Sequence, residues 1–181
     1  MTMTVTLLLI LFALLALIFF VLRGVAAIRT GTDEATLAAQ MRPVDLEAFR
    51  NLADPDEEAF LRNSLSAKEF RTVQRLRLRA AIEYLAAVSH NAAMLVQLGQ
   101  AARRSSNVQI AEAAQTLVDN ALILRLYAAL AICKLCIRFL KPEASLQAAG
   151  ILDRYQRVTE GALRLGRLQY PGRAPLLSRT L

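Results

Sequence analysis

The stretch SAKEFRTVQRLRLRAAIEYLAAVSHNAAMLVQLGQAARR, Ser66 to Arg104, decides how this chain folds. It opens on Ser66-Ala-Lys-Glu69, a capping box in which hydroxyl and carboxylate satisfy backbone N–H groups that the first turn of a helix leaves unpaired. No proline lies between Asp56 and Lys141, and Gly99 is the only glycine there. Those two residues end helices, so the interval predicts long ones. Ser106-Asn-Val-Gln109 repeats the capping pattern and opens another long helix that runs to Lys141, before Pro142. The short break between the two forces antiparallel packing and sets Arg125 level with Ala86. Pro142-Glu143 starts a further helix to about Leu168, and Asp54-Pro55 starts a short one through about Asn63.

Hydrophobic periodicity agrees. In the quoted stretch Phe70, Val73, Ala80, Ala81, Tyr84, Val88, Leu95 and Leu98 fall on one side, while Arg75, Arg79, Glu83, His90, Gln97 and Arg104 gather opposite. In the last helix Ile151, Leu152, Tyr155, Val158, Ala162 and Leu165 form a stripe. Asp153 with Arg157 and Glu160 with Arg164 read there as acid-then-base pairs on a solvent face. Ala121 to Leu140, ALILRLYAALAICKLCIRFL, is apolar at 17 of 20 positions. One side, through Ala114, Leu117, Ala121, Ala128, Ile132, Leu135 and Phe139, packs the bundle. The other side, where Glu112, Thr116, Asn120 and Lys134 mark solvent, still carries Ile123, Tyr127, Leu130 and Ile137. A helix apolar nearly all round is covered all round. Coverage by the segment Leu37 to Leu61 is one expectation, and a protein partner or second copy of the chain is the other. A membrane span there is disfavoured, because Arg125, Lys134 and Arg138 would each cost about 2.5–3.5 kcal/mol at mid-bilayer.

Upstream the charge changes sign. Thr30 to Phe60 carries a net −6 and Leu61 to Arg104 a net +6, so an acidic arm is expected to fold onto the base of the bundle. Before the arm, Val5 to Leu22 reads VTLLLILFALLALIFFVL, 18 positions without a charge. At about 1.5 Å per residue it is long enough to span a bilayer. A cleaved signal peptide fits less well: the leader Met-Thr-Met-Thr has no cation, and Arg23 precedes the one plausible cleavage site, Val25-Ala26-Ala27. Arg23 and Arg29 follow the span and no cation precedes it, so the N-terminus is expected outside and the remainder in the cytoplasm. A translocated C-terminal domain is the alternative topology.

The whole chain has 181 residues, 55% of them hydrophobic, a net charge of +7, two cysteines, and few glycines and prolines. A disulfide scaffold, a disordered chain and a turn-rich β-sandwich are thereby excluded. Chemistry-bearing residues are few. Cys133-Lys-Leu-Cys136 lies inside a helix, far from the N-terminus that would activate a redox thiolate, and has no second pair for zinc; it reads as two small core side chains. The basic run Lys68, Arg71, Arg75, Arg77 and Arg79 reads as a contact for anionic lipid headgroups or for the acidic arm. Nucleic acid is not expected, since basic charge is spread through the chain without a binding motif. Arg77, Asn91 and Arg125 fall in apolar stripes and are expected to find buried polar partners that fix helix register, Arg125 near Glu83 and His90.

Val88-Ser89-His90 resembles the phosphoacceptor helix of sensor histidine kinases over three residues. Where that family has an acid, then a polar residue and a proline, this chain has Asn91, Met94 and Leu95, and no ATP-binding glycine motif follows. His90 accordingly reads as a surface residue.

The expectation is an all-α chain: a single transmembrane helix with its flank (1–29), an acidic helical arm (30–65), an antiparallel bundle of three long helices (66–169) and a flexible tail (170–181). No catalytic constellation, metal set, cofactor site or small-molecule substrate can be assembled. The function expected is membrane-tethered scaffolding or assembly through a protein partner or homo-oligomer. A sensory or signalling module that changes helix register is the alternative.

Overall fold

The computed structural model describes residues 34–140 and 149–169, which are helical apart from short connections. The expected anchor Val5–Leu22, the helix start at Pro142-Glu143 and the tail from Tyr170 lie outside the described residues. Six described helices follow in order: α1 (Glu34–Gln40), α2 (Leu46–Leu52), α3 (Pro55–Ser64), α4 (Ala67–Ala102), α5 (Val108–Leu140) and α6 (Ala149–Gln169).

The starts follow from their caps. Asp54 accepts the Asp56 N–H at 2.9 Å with Pro55 at the first helical position of α3. Ser66 and Glu69 form the full capping box of α4: the Ser66 N–H donates to Glu69 Oε2 at 3.1 Å and the Glu69 N–H donates to Ser66 Oγ at 3.4 Å. The Ser66 hydroxyl, which donates to Glu69 Oε2 at 2.6 Å, and the Ser66 N–H together hold the exposed Glu69 carboxyl below its ordinary range. The start of α5 differs from expectation. Asn107, not Ser106, is the capping side chain, with its Oδ1 accepting the Gln109 N–H at 2.9 Å, while Ser105 Oγ accepts the Asn107 N–H at 3.2 Å. Three capping residues stand in a row here, and the tight turn after Arg103 selects the last.

The long helices run antiparallel. Leu117 faces Gly161 and Tyr127 faces Arg154, so residue numbers rise along α5 as they fall along α6. Gly99 sets the closest approach of α4 to α5. A Cβ there would stand 2.7 Å from Val118 Cγ2 and 3.1 Å from the Ala114 carbonyl oxygen. The core is built from Leu78, Ala81, Leu85, Val88, Ala92 and Leu95 of α4, Leu117, Ala121, Leu124 and Ala128 of α5, and Leu152, Tyr155, Val158, Ala162 and Leu165 of α6. The α4 stripe is therefore rotated from the sequence expectation: Leu78, Leu85 and Ala92 are central, whereas Val73, Ala80 and Tyr84 are half-buried.

The arm completes the bundle. Helix α6 packs chiefly on α5 and meets α4 at few points, and the corner between α4 and α6 is filled by α1 and α2, with α2 touching both. Leu37, Met41 and Phe49 join the common core, each large apolar side chain contributing about 1.5–3 kcal/mol by its burial. Arm and long helices fall in one compact unit beginning at Asp33. The expected folding of the arm onto the bundle is present, but its place is not against the outward side of α5. That face stays uncovered among the described residues.

Candidate functional site

The uncovered face of α5 carries five of the eight exposed large hydrophobic side chains among the described residues. Leu122, Ile123, Leu126, Tyr127 and Leu130 are 42–47% exposed, at spacings that place them on one side of the helix, opposite the buried Leu117, Leu124 and Ala128. Ile123, Tyr127 and Leu130 are sequence-predicted members of this face. Leu122 and Leu126 are additions, legible in the unbroken apolar run but not assigned to the outer side. The side chain of Ile137 lies outside the described residues. Tyr127 is not bare: the Arg154 guanidinium of α6 lies 4.1 Å from its ring centroid and holds the rim of the face in a cation–π contact. By length and composition α5 is also the one described helix apolar enough to cross a membrane. Its inner side is core, packed against both α4 and α6.

The three candidate buried polar residues have different fates. Asn91 is 0% exposed and fully used. Its Nδ2 donates to the Arg42 carbonyl at 2.7 Å and to the Tyr155 hydroxyl at 3.0 Å, and its Oδ1 accepts the Arg42 N–H at 2.8 Å. One amide thus ties arm, α4 and α6 together. Arg77 donates to the Leu52 carbonyl at 2.9 Å and pairs with Glu57 at 3.4 Å. Arg125 departs from expectation: it pairs with neither Glu83 nor His90, its Nε is buried without a partner among the described residues, and burial lowers its pKa. Gln74, which sequence periodicity left unremarked, is 1% exposed with both amide atoms unpartnered among the described residues.

The basic run divides likewise. Only Arg77 reaches the acidic arm. Lys68, Arg71, Arg75 and Arg79 are exposed, and Arg79 pairs instead with Glu83 one turn along its own helix at 3.2 Å. None of these four forms an ion pair with the arm among the described residues. His90 is not a free surface residue: it is half-buried, and its Nε2 donates to the Gln40 carbonyl at 3.0 Å, beside the Asn91 clamp. The core reading of the cysteines fails for Cys136, which is exposed, whereas Cys133 is half-buried. Partial burial and the neighbouring Cys133 push the Cys136 thiol up, away from the activated thiolate range. No cluster of three or more metal-ligating side chains occurs among the described residues.

The charged residues of α6, Asp153, Arg157, Glu160 and Arg164, are exposed as expected, but among the described residues they form neither of the expected ion pairs. Arg157 Nε donates to the Asp153 backbone carbonyl at 3.2 Å rather than to its carboxylate. Arg157 and Arg164 border a cleft of about 440 Å³ whose other wall is Glu112, Thr116 and Asn120 of α5, with Leu117 and Gly161 at its floor. The chain matches no family profile, no curated protein and no solved structure.

Proposed function

We propose that this chain is a single-pass membrane protein whose helical domain is a non-enzymatic scaffold on the cytoplasmic side, with the outward face of α5 as its protein-binding surface. The observation that carries the reading is that apolar row, left open by every other described helix. Apolar side chains gathered in one row with a polar rim, rather than scattered singly, are the pattern of a contact site. The apolar segment Val5–Leu22 supplies the anchor, and Arg23 and Arg29 supply the orientation. Lys68, Arg71, Arg75 and Arg79 suit the anionic inner leaflet, at about 1 kcal/mol per cation near the surface.

The test places a photoreactive amino acid at Tyr127 in the full chain and irradiates native membranes. A protein adduct is expected, and a lipid-only adduct or none overturns the reading. An alkaline phosphatase fusion after Leu181 is expected to be silent, and enzyme activity there reverses the topology. A sensory module is the second reading, supported by the α5–α6 cleft, where Arg157 and Arg164 lack an ionic partner among the described residues. It requires binding of a small anion that shifts the melting temperature and is lost in Arg164→Ala.

A further inference from the structure

The arrangement of charge around the α5 face identifies its occupant. The five exposed apolar side chains, Leu122 to Leu130, are centred on Leu126. Seven residues before that centre stands Asp119, and eight residues after it stands Lys134, both exposed. At about 1.5 Å per residue they lie about 10–12 Å to either side, on the same outward side of the helix. Asp119 is pre-set, with both carboxylate oxygens accepting from Gln115 Nε2 at 2.8 and 2.9 Å. Lys134 takes part in no ion pair among the described residues.

An acid and a base placed almost symmetrically about an apolar centre make a surface that is its own complement under a two-fold rotation. We propose that α5 pairs antiparallel with α5 of a second copy of this chain about an axis between Leu126 and Tyr127, so that Asp119 of each copy faces Lys134 of the other. In that register Ile123 meets Leu130 and Leu126 meets Tyr127 of the other copy next to the axis, which is the isologous pattern of a two-fold dimer. The parallel arrangement would oppose Asp119 to Asp119 and Lys134 to Lys134, and like charges disfavour it. Among the described residues the face is open, because the arm and α4 pack on other sides of the bundle and Arg154 occupies only the Tyr127 rim. The apolar area is at the low end for a stable interface, so the pairing is weak in dilute solution, and confinement to a membrane raises the effective concentration that drives it.

This inference rests on the reading of α5 as a protein-binding face, and the experiment separates the two. In the full chain with Cys133→Ser and Cys136→Ser, Leu126→Cys is introduced and native membranes are oxidised; a disulfide-linked dimer is expected, with Leu76→Cys on exposed α4 as the uncrosslinked control. Asp119→Cys together with Lys134→Cys also gives a dimer, since about 22 Å along one helix rules out an internal bridge. Either of those cysteines alone gives none. Asp119→Lys lowers the Leu126→Cys yield several-fold, and adding Lys134→Asp restores it. Dimer from Asp119→Cys alone, or failure of the charge swap to restore the yield, overturns the antiparallel pairing. If Leu126→Cys forms no dimer while the Tyr127 probe still captures another protein, self-pairing is wrong and the scaffold reading stands; if both are blank, both fall.

Discussion

Asn91 concentrates three hydrogen bonds in one side chain, and two of its partners are the N–H and C=O of Arg42 in the link between α1 and α2. Asn91→Ala leaves those groups and the Tyr155 hydroxyl without their partner in a site that excludes water. A loss of about 1–3 kcal/mol is expected in urea unfolding, with faster amide exchange in α1 and α2. Asn91→Asp should not rescue it, because an ionised carboxylate cannot donate to the Arg42 carbonyl. Gln74 is the reverse case: its amide is buried and binds nothing described. Gln74→Leu removes that desolvation cost at similar volume and is expected to raise stability by about 1–3 kcal/mol, read as a higher urea midpoint at unchanged slope. An unchanged midpoint would mean that the amide has a partner after all.

At the scale of the helix, two glycines make opposite demands. Gly99 faces Val118 and the Ala114 carbonyl at distances no Cβ tolerates without movement, and a backbone oxygen cannot rotate aside. Gly99→Ala is therefore expected to cost about 1–3 kcal/mol despite the gain in helix propensity. Gly161 has only Leu117 Cδ1 within reach of an added Cβ, at 3.8 Å, so Gly161→Ala should stabilise by up to about 1 kcal/mol. Thermal unfolding of the two variants checks the contrast. What was legible in the sequence also sorts by element. The caps at Asp54 and Ser66 and the whole α6 stripe are local chemistry and read directly. The α4 stripe read with its centre displaced, because beyond Val88 the helix is buried on most sides and its period fades. The Asn91 and His90 partners are backbone carbonyls of a distant loop, and main-chain groups leave no mark in a side-chain pattern. Excess apolar surface on α5 was readable, but periodicity names a face and not the element that covers it; hence the arm could be expected there while lying against α4 and α6.

For the whole molecule, that placement makes the arm dependent on the last long helix. A chain ending at Lys141 keeps α4 and α5 but loses the surface that α2 shares with α6, together with the Tyr155 bond to Asn91. Hydrogen exchange in α1 and α2 is expected to rise towards unprotected rates in that truncation, whereas the α4–α5 pair, joined by its five-residue turn and by Gly99, keeps its protection longest. Undiminished protection in α2 would show that α4 alone holds the arm. The closure of the bundle between segments about a hundred residues apart also has a temporal side. A ribosome adding about 5–20 residues per second leaves the acidic arm waiting on the order of 5–20 s for its seat to be synthesised. Throughout that interval Phe49 can reach Tyr84 of α4 but the α6 side of its seat is missing, so the nascent chain needs a chaperone's attention until α6 emerges.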